Sequence, residues 1–161
     1  MRQHKQKIFL VDDDPFCRQL LEHALRTNGY ENVYAFENGA SCLNALTEEP
    51  DIIFLDQIMD NVSGTDTLKA IKRFNPDIYV VFVSGQQQVE VAVESLKFGA
   101  FDYIVKDEQL AAKIGNVLAK IKLMRTMLDR KQHNRPSRLL SFFNFLSLIS
   151  LLMGGLTIHN F

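Results

Sequence analysis

Six residues in this chain have the types and positions to do chemistry together. Asp12, Asp13 and Asp14 follow the apolar run Ile8–Val11, and Asp56 closes the run Ile52–Leu55. Ser84 follows Tyr79–Val83, and Lys106 follows Phe101–Val105. Singly, each has an ordinary role open to it. An aspartate after a strand often only caps the next helix, and Asp14 before Pro15 fits that role. Ser84-Gly85 reads as a turn and Lys106 as a surface lysine. Jointly they are harder to dismiss, because each stands in the same place relative to its own apolar run. Carboxylates brought to one edge from separate strands repel and stay protonated unless a cation sits among them. Asp12 and Asp13, with Asp13 foremost, suit a hard divalent ion such as Mg²⁺, which prefers oxygen ligands and retained waters. Asp56 is then both ligand and nucleophile, attacking a phosphoryl group to give an acyl phosphate. Lys106 supplies a point charge to one phosphoryl oxygen and the Ser84 hydroxyl donates to another. The charge gained, about −1.5 to −2, can bias a two-state loop, which is the behaviour of a switch more than of a catalyst.

Elements that could position these residues alternate along the chain. Ile8–Val11, Val33–Phe36, Ile52–Leu55, Tyr79–Val83 and Phe101–Val105 read as strands, and the first, third and fourth are apolar throughout, as in sheets buried on both faces. Helices are predicted between them. One starts at Asp14-Pro15 and stops at Asn28-Gly29. A second opens at Asn38-Gly39 and ends at Glu49-Pro50, and a third closes at Asn75-Pro76. The fourth spans about Gln88 to Phe98, and the last starts near Asp107 with no breaker before Arg135-Pro136. Five strands alternating with five helices imply an α/β fold, a doubly wound five-stranded parallel sheet with helices on both faces. The loops after strands one, three, four and five then share the edge where such sheets keep their chemistry.

Composition excludes several alternatives. In 161 residues, 18 Lys plus Arg against 19 acids leave a balance that predicts no nucleic-acid partner. Neither a G-x-G-x-x-G nor a G-x-x-x-x-G-K-[ST] is present, so nucleotide binding lacks its fingerprint. Cys17 and Cys42 lack metal-ligand spacing and read as small apolar residues in a reducing cytosol. The polar stretch Met1–Lys7 runs straight into a strand, so no signal peptide is expected ahead of the domain.

The ordered motifs Val11-Asp12-Asp13-Asp14, Leu55-Asp56 with Met59 and Gly64 downstream, Val83-Ser84-Gly85, and Asp102-Tyr103-Ile104-Val105-Lys106 resemble the receiver domain of bacterial two-component response regulators. The resemblance covers about residues 7–125. It implies a flavodoxin-like fold, with Asp56 as phosphoacceptor and Asp12 and Asp13 as the acidic pocket for Mg²⁺. Ile58 would lend its backbone carbonyl to the metal, Ser84 would be the switch hydroxyl, and Lys106 the phosphate-contacting lysine. Tyr103 matches the aromatic that swings inward on activation. By the same resemblance the phosphodonor is a histidine kinase or phosphotransfer protein, and the signal passes to a downstream protein target. The chain departs from the family pattern in two places. Asp60 follows Met59 where proline is usual, and Asp107 follows Lys106 where proline is usual. Without that proline the peptide after Lys106 is expected to be trans, since the cis form of a non-proline bond costs about 3–4 kcal/mol. Ile58 and Gln86 stand where the family tunes phosphoryl lifetime. An apolar Ile58 cannot orient an attacking water, so a long-lived phosphoform is expected.

Beyond the receiver, Leu110, Ile114, Val117, Ile121, Met124 and Leu128 form a heptad-like seam. Its first part is expected on the sheet, and its extension offers a surface for a homodimer. Residues 126–138 read as a helix extension and basic linker, with Arg130, Lys131, Arg135 and Arg138 and no acid from Arg130 onward. Residues 139–158 carry no charge and include 13 Leu, Ile, Phe or Met among 20, close to the length that spans a bilayer. Such a helix, apolar all round, reads as a membrane anchor, placing a cytoplasmic receiver at the inner membrane with the basic cluster inside. A hairpin folded back on the receiver and an oligomerisation segment are the competing possibilities. Too few residues remain beyond Arg138 for a helix-turn-helix, so the output is expected to be a protein contact without a DNA-binding domain. Two further functions compete. A covalent metal-dependent phosphohydrolase would want a second acid two residues after Asp56, where Ile58 stands. An unphosphorylated scaffold would not need the full set of Asp12, Asp13, Asp56, Ser84 and Lys106.

Overall fold

A computed structural model of the chain describes residues 6–59, 63–85 and 89–133. The chain runs β1 (Ile8–Val11), α1 (Pro15–Thr27), β2 (Val33–Phe36), α2 (Gly39–Asn44), a 3-10 turn (Leu46–Glu48), β3 (Ile52–Asp56), α3 (Gly64–Phe74), β4 (Tyr79–Ser84), α4 (Val89–Lys97), β5 (Asp102–Val105) and α5 (Leu110–His133). All strand pairs are parallel, in the order β2-β1-β3-β4-β5. That order is the doubly wound, flavodoxin-like one, and it places the topological switch point between β1 and β3.

Strand alternation sorts the core into two layers. Ile8, Leu10, Ile52, Phe54, Val81, Val83 and Ile104 face α1 and α5, whose Leu21, Leu25, Ile114 and Ile121 cover them. Phe9, Val11, Ile53, Leu55, Val80 and Phe82 face the other way, against Cys42, Leu46, Leu68 and Ile71. Both faces of β1, β3 and β4 are therefore dry, which is why these strands are apolar at consecutive positions. Burying each large side chain contributes roughly 1.5–3 kcal/mol, so the central strands are the rigid base of the sheet edge.

The helix starts follow local chemistry. Asp14 caps α1 through Phe16 N, with Pro15 at the first helical position. Asn38 caps α2 through Ser41 N, and Ser63 caps α3 through Asp66 N. Two elements are shorter than the sequence implies. The second helix breaks after Asn44 into the 3-10 turn, and Glu49 at φ 56° reverses the chain before Pro50. The last helix begins at Leu110, because Asp107 instead makes a turn, its carboxylate accepting from Gln109 N and its carbonyl from Leu110 N. The peptide after Lys106 is trans, like every peptide among the described residues.

Along α5, Leu110, Ile114, Val117, Leu118 and Ile121 are buried. Leu123, Met124, Met127 and Leu128 are exposed, so the seam leaves the core after Ile121. No helix among the described residues is long and apolar enough to cross a membrane. The apolar stretch 139–158, residues 134–138 of the basic linker, Asp60 and Gln86 lie outside the described residues.

Gly64 opens α3 against the back of the site. A Cβ there would stand 2.4 Å from the Asp56 carbonyl oxygen, 2.8 Å from Gln57 Cα and 2.8 Å from the Phe82 ring. Two of these neighbours are backbone and cannot swing aside. Gly64→Ala is expected to lower unfolding free energy by about 1–3 kcal/mol in urea titrations, the usual range for overpacking. Gly29→Ala, where nothing lies within 4 Å but φ is +85°, separates the effect of crowding from that of backbone strain.

Candidate functional site

Register delivers the acids. Val11 pairs with Leu55, so the next residues, Asp12 and Asp56, emerge side by side at the carboxyl ends of β1 and β3. Asp13 follows in the loop, and one carboxylate oxygen from each of Asp12, Asp13 and Asp56 lies within 4.8 Å of the others. Asp12 and Asp56 are buried, whereas Asp13 is exposed. Asp14 does not join them and stays at its cap, its carboxyl held below the ordinary range by the hydrogen bond from Phe16 N.

Lys106 closes the cluster. Its backbone N–H donates to Ser84 O at 2.8 Å, continuing the β4–β5 pairing one residue past Val105. Its ammonium lies 2.6 Å from Asp12 Oδ2 and 3.0 Å from Asp56 Oδ1. The second Asp12 oxygen accepts from Asp14 N at 3.0 Å. Burial raises the Asp56 pKa above its ordinary value, and attraction to Lys106 offsets only part of that. Burial also works against the Lys106 charge, but hydrogen bonding and attraction from Asp12 and Asp56 outweigh it and raise its pKa. The stability contributed by the ammonium is therefore present through neutral pH and is lost only as pH climbs through its raised pKa.

Three carboxylates around one ammonium leave an excess of negative charge at a sheet edge, with oxygen donors only. That donor set fits a hard divalent ion such as Mg²⁺ and does not fit a soft metal. Ser84 is buried at the end of β4, one strand over from Asp56. Tyr103 stands on β5 opposite Phe82, half-buried, with ring centroids 6.5 Å apart. Ile58 lies two residues past Asp56 and is 54% exposed.

One participant has no counterpart among the residues that the sequence singles out. Arg18, one turn into α1, folds back so that Nη1 donates to the carbonyls of Asp12 at 2.6 Å and Asp13 at 3.0 Å. Its one sequence signal is a cation near the positive end of a helix, where the macrodipole disfavours it.

Comparison with known proteins agrees with this geometry. The family model described as "Response regulator receiver domain" matches residues 8–116. The transcriptional regulatory protein ZraR of Klebsiella oxytoca is 37% identical over 72% of this chain, which spans only 27% of that protein's length. The chemotaxis protein CheY of Bacillus subtilis is 33% identical over 64% of this chain and 87% of its own. Among solved structures, the receiver domain of NtrX from Brucella abortus superposes with a TM-score of 0.67 at 30% identity, covering 71% of this chain and 97% of that one.

Asp56 is harder to ionise in the folded chain than in the unfolded one, so its charge opposes folding above its raised pKa. That opposition fades as pH falls through the raised value toward the ordinary 3.8. Without divalent cation, Asp56→Asn is expected to unfold at higher urea than the parent at pH 7. The difference should shrink on acidification and vanish near about pH 3, below the ordinary aspartate pKa. Lys106 keeps Asp12 as its partner in that variant.

Proposed function

The chain belongs to the response regulator receiver family over residues 8–116, and from that premise we propose that Asp56 accepts a phosphoryl group from a phosphohistidine and thereby switches a protein contact. The observation that carries this reading is the Lys106 ammonium between Asp12 and Asp56, with Asp13 alongside. An Asp56 oxygen attacks phosphorus, the O–P bond forms as the N–P bond of the donor breaks, and the imidazole leaves and takes up a proton. Asp12, Asp13, Asp56 and the Ile58 carbonyl would hold Mg²⁺. When bound, the ion neutralises charge on the phosphoryl oxygens and screens the approach of an anionic donor to an anionic pocket.

Lys106 is placed to exchange Asp56 for a phosphoryl oxygen while keeping Asp12, so its charge stays paired throughout. Ser84, at the end of β4, would donate its hydroxyl to another oxygen. Drawing Ser84 toward the new group gives Tyr103, on the adjacent strand, a reason to change position. The donor is a histidine kinase or phosphotransfer protein, and the output a downstream protein. The protein is a switch whose chemistry is confined to gaining and losing its own phosphoryl group. The reading concerns the receiver alone, since the matched regulator is mostly outside this alignment.

Two assays test the proposal. With acetyl phosphate and Mg²⁺, the 161-residue chain is expected to gain about 80 Da, one phosphoryl group. Asp56→Asn should abolish the gain, and the phosphoform should outlast minutes because Ile58 orients no water. A wild-type chain that gains no mass would refute the phosphoacceptor role, and decay within seconds would refute that of Ile58.

On sequence alone, the uncharged stretch 139–158 supports an anchor in the membrane, with the basic residues before it on the cytoplasmic side. The whole chain should then sediment with membranes and need detergent for release, whereas a chain ending at Lys131 should stay in the supernatant. Release of the whole chain by salt alone would remove the anchor.

A further inference from the structure

From the two hydrogen bonds of Arg18 we infer that this residue is a positioning residue for the divalent-cation site, setting the direction in which Asp13 presents its carboxylate. This rests on the phosphoacceptor reading above. Of the three acids, Asp12 and Asp56 are buried and share the Lys106 ammonium. Asp13 is exposed, in the loop between β1 and α1. A ligand on an exposed loop loses conformational freedom when an ion binds unless its backbone is already held.

Arg18 holds that backbone. The Asp12 carbonyl belongs to the peptide before Asp13, and the Asp13 carbonyl to the peptide after it. Each peptide is planar, so fixing both planes fixes the two soft dihedrals of Asp13 and with them its Cα–Cβ direction. One guanidinium nitrogen reaches both carbonyls, at 2.6 and 3.0 Å. The residue comes from α1, whose cap at Asp14 and buried Leu21, Ala24 and Leu25 make it a rigid support. The result is a division between two cations. Lys106 organises the side chains of Asp12 and Asp56, and Arg18 organises the main chain on both sides of Asp13.

A purely electrostatic role makes the opposite prediction, which renders the idea testable. Arg18 is a cation, so if its charge alone mattered, removing it would tighten the binding of another cation. If positioning matters, removing it weakens binding. Mg²⁺ affinity of the whole chain is measured by calorimetric titration for the parent, Arg18→Met and Arg18→Lys, with melting curves recorded without Mg²⁺. Arg18→Met is expected to bind Mg²⁺ on the order of tenfold more weakly, as is usual for residues that orient metal ligands. Its phosphorylation rate should recover once Mg²⁺ saturates. Arg18→Lys keeps the charge but loses the planar guanidinium and some reach, and should also bind more weakly.

Unchanged or tighter Mg²⁺ binding by Arg18→Met overturns the inference, whatever happens to its melting temperature. Should Arg18→Met not fold, Arg18→Lys is read in the same way, and parental affinity overturns it. A parent chain that binds no Mg²⁺ removes the cation site and this inference with it. A parent that binds Mg²⁺ and takes the phosphoryl group beside an unaffected Arg18→Met leaves the phosphoacceptor reading standing and removes only the role of Arg18.

Discussion

The site depends on a lysine ammonium held between two buried carboxylates. Lys106 reaches Asp12 and Asp56 from a strand three places away from β1 in the sheet, so the contact exists only when β1, β3, β4 and β5 are all in register. Buried ionic groups lose hydration, and removing the shared ammonium would leave two buried carboxylates without a counter-charge, a kind of change that typically costs about 3–5 kcal/mol. Here burial has its visible effect on Asp56, whose pKa rises even with Lys106 beside it. A carboxylate in that condition is poorly solvated and close to a cation, a setting that suits the phosphoacceptor role proposed for it.

Everything around that contact serves to hold it still. The two hydrophobic layers leave β1, β3 and β4 with no exposed face, so their carboxyl ends cannot drift relative to one another. Gly64 lets α3 begin directly against the Asp56 carbonyl, leaving no room behind that residue. Ser84 and Lys106 are joined through the main chain, the N–H of one donating to the carbonyl of the other. The end of β4 is therefore linked to the end of β5 without a flexible side chain between them, and Tyr103 lies on that strand.

Much of this is legible in the sequence. Continuous apolar runs such as Ile52–Leu55 and Tyr79–Val83 are too short for a buried helix and suit a strand covered on both faces. An acid, hydroxyl or lysine directly after such a run is carried to the same edge by the topology. Caps are equally readable, since Asp14-Pro15 and Asn38-Gly39 act through neighbours in sequence. The early end of α2 is not readable. The break falls at Ala45, a strong helix former, so its residue type gives no warning that the α-helix stops there. Arg18 escapes notice for a related reason. It bonds to main-chain carbonyls, which every residue possesses, so no motif records its target. The beginning of α5 is misplaced because Asp107 looks like a helix cap and here makes a turn ahead of the helix.

That same Asp107 stands where the family usually has proline. A pyrrolidine ring restrains a loop covalently, and no solute can undo it. In this chain the residue after Lys106 is instead fastened by accepting from Gln109 N and from the Lys113 ammonium, at the surface. An exposed ion pair is weakened by dissolved electrolyte, with a screening length of about 8 Å at physiological ionic strength. The segment bearing the Lys106 ammonium is thus held by non-covalent contacts at the surface, of which the ion pair is the one that dissolved salt weakens.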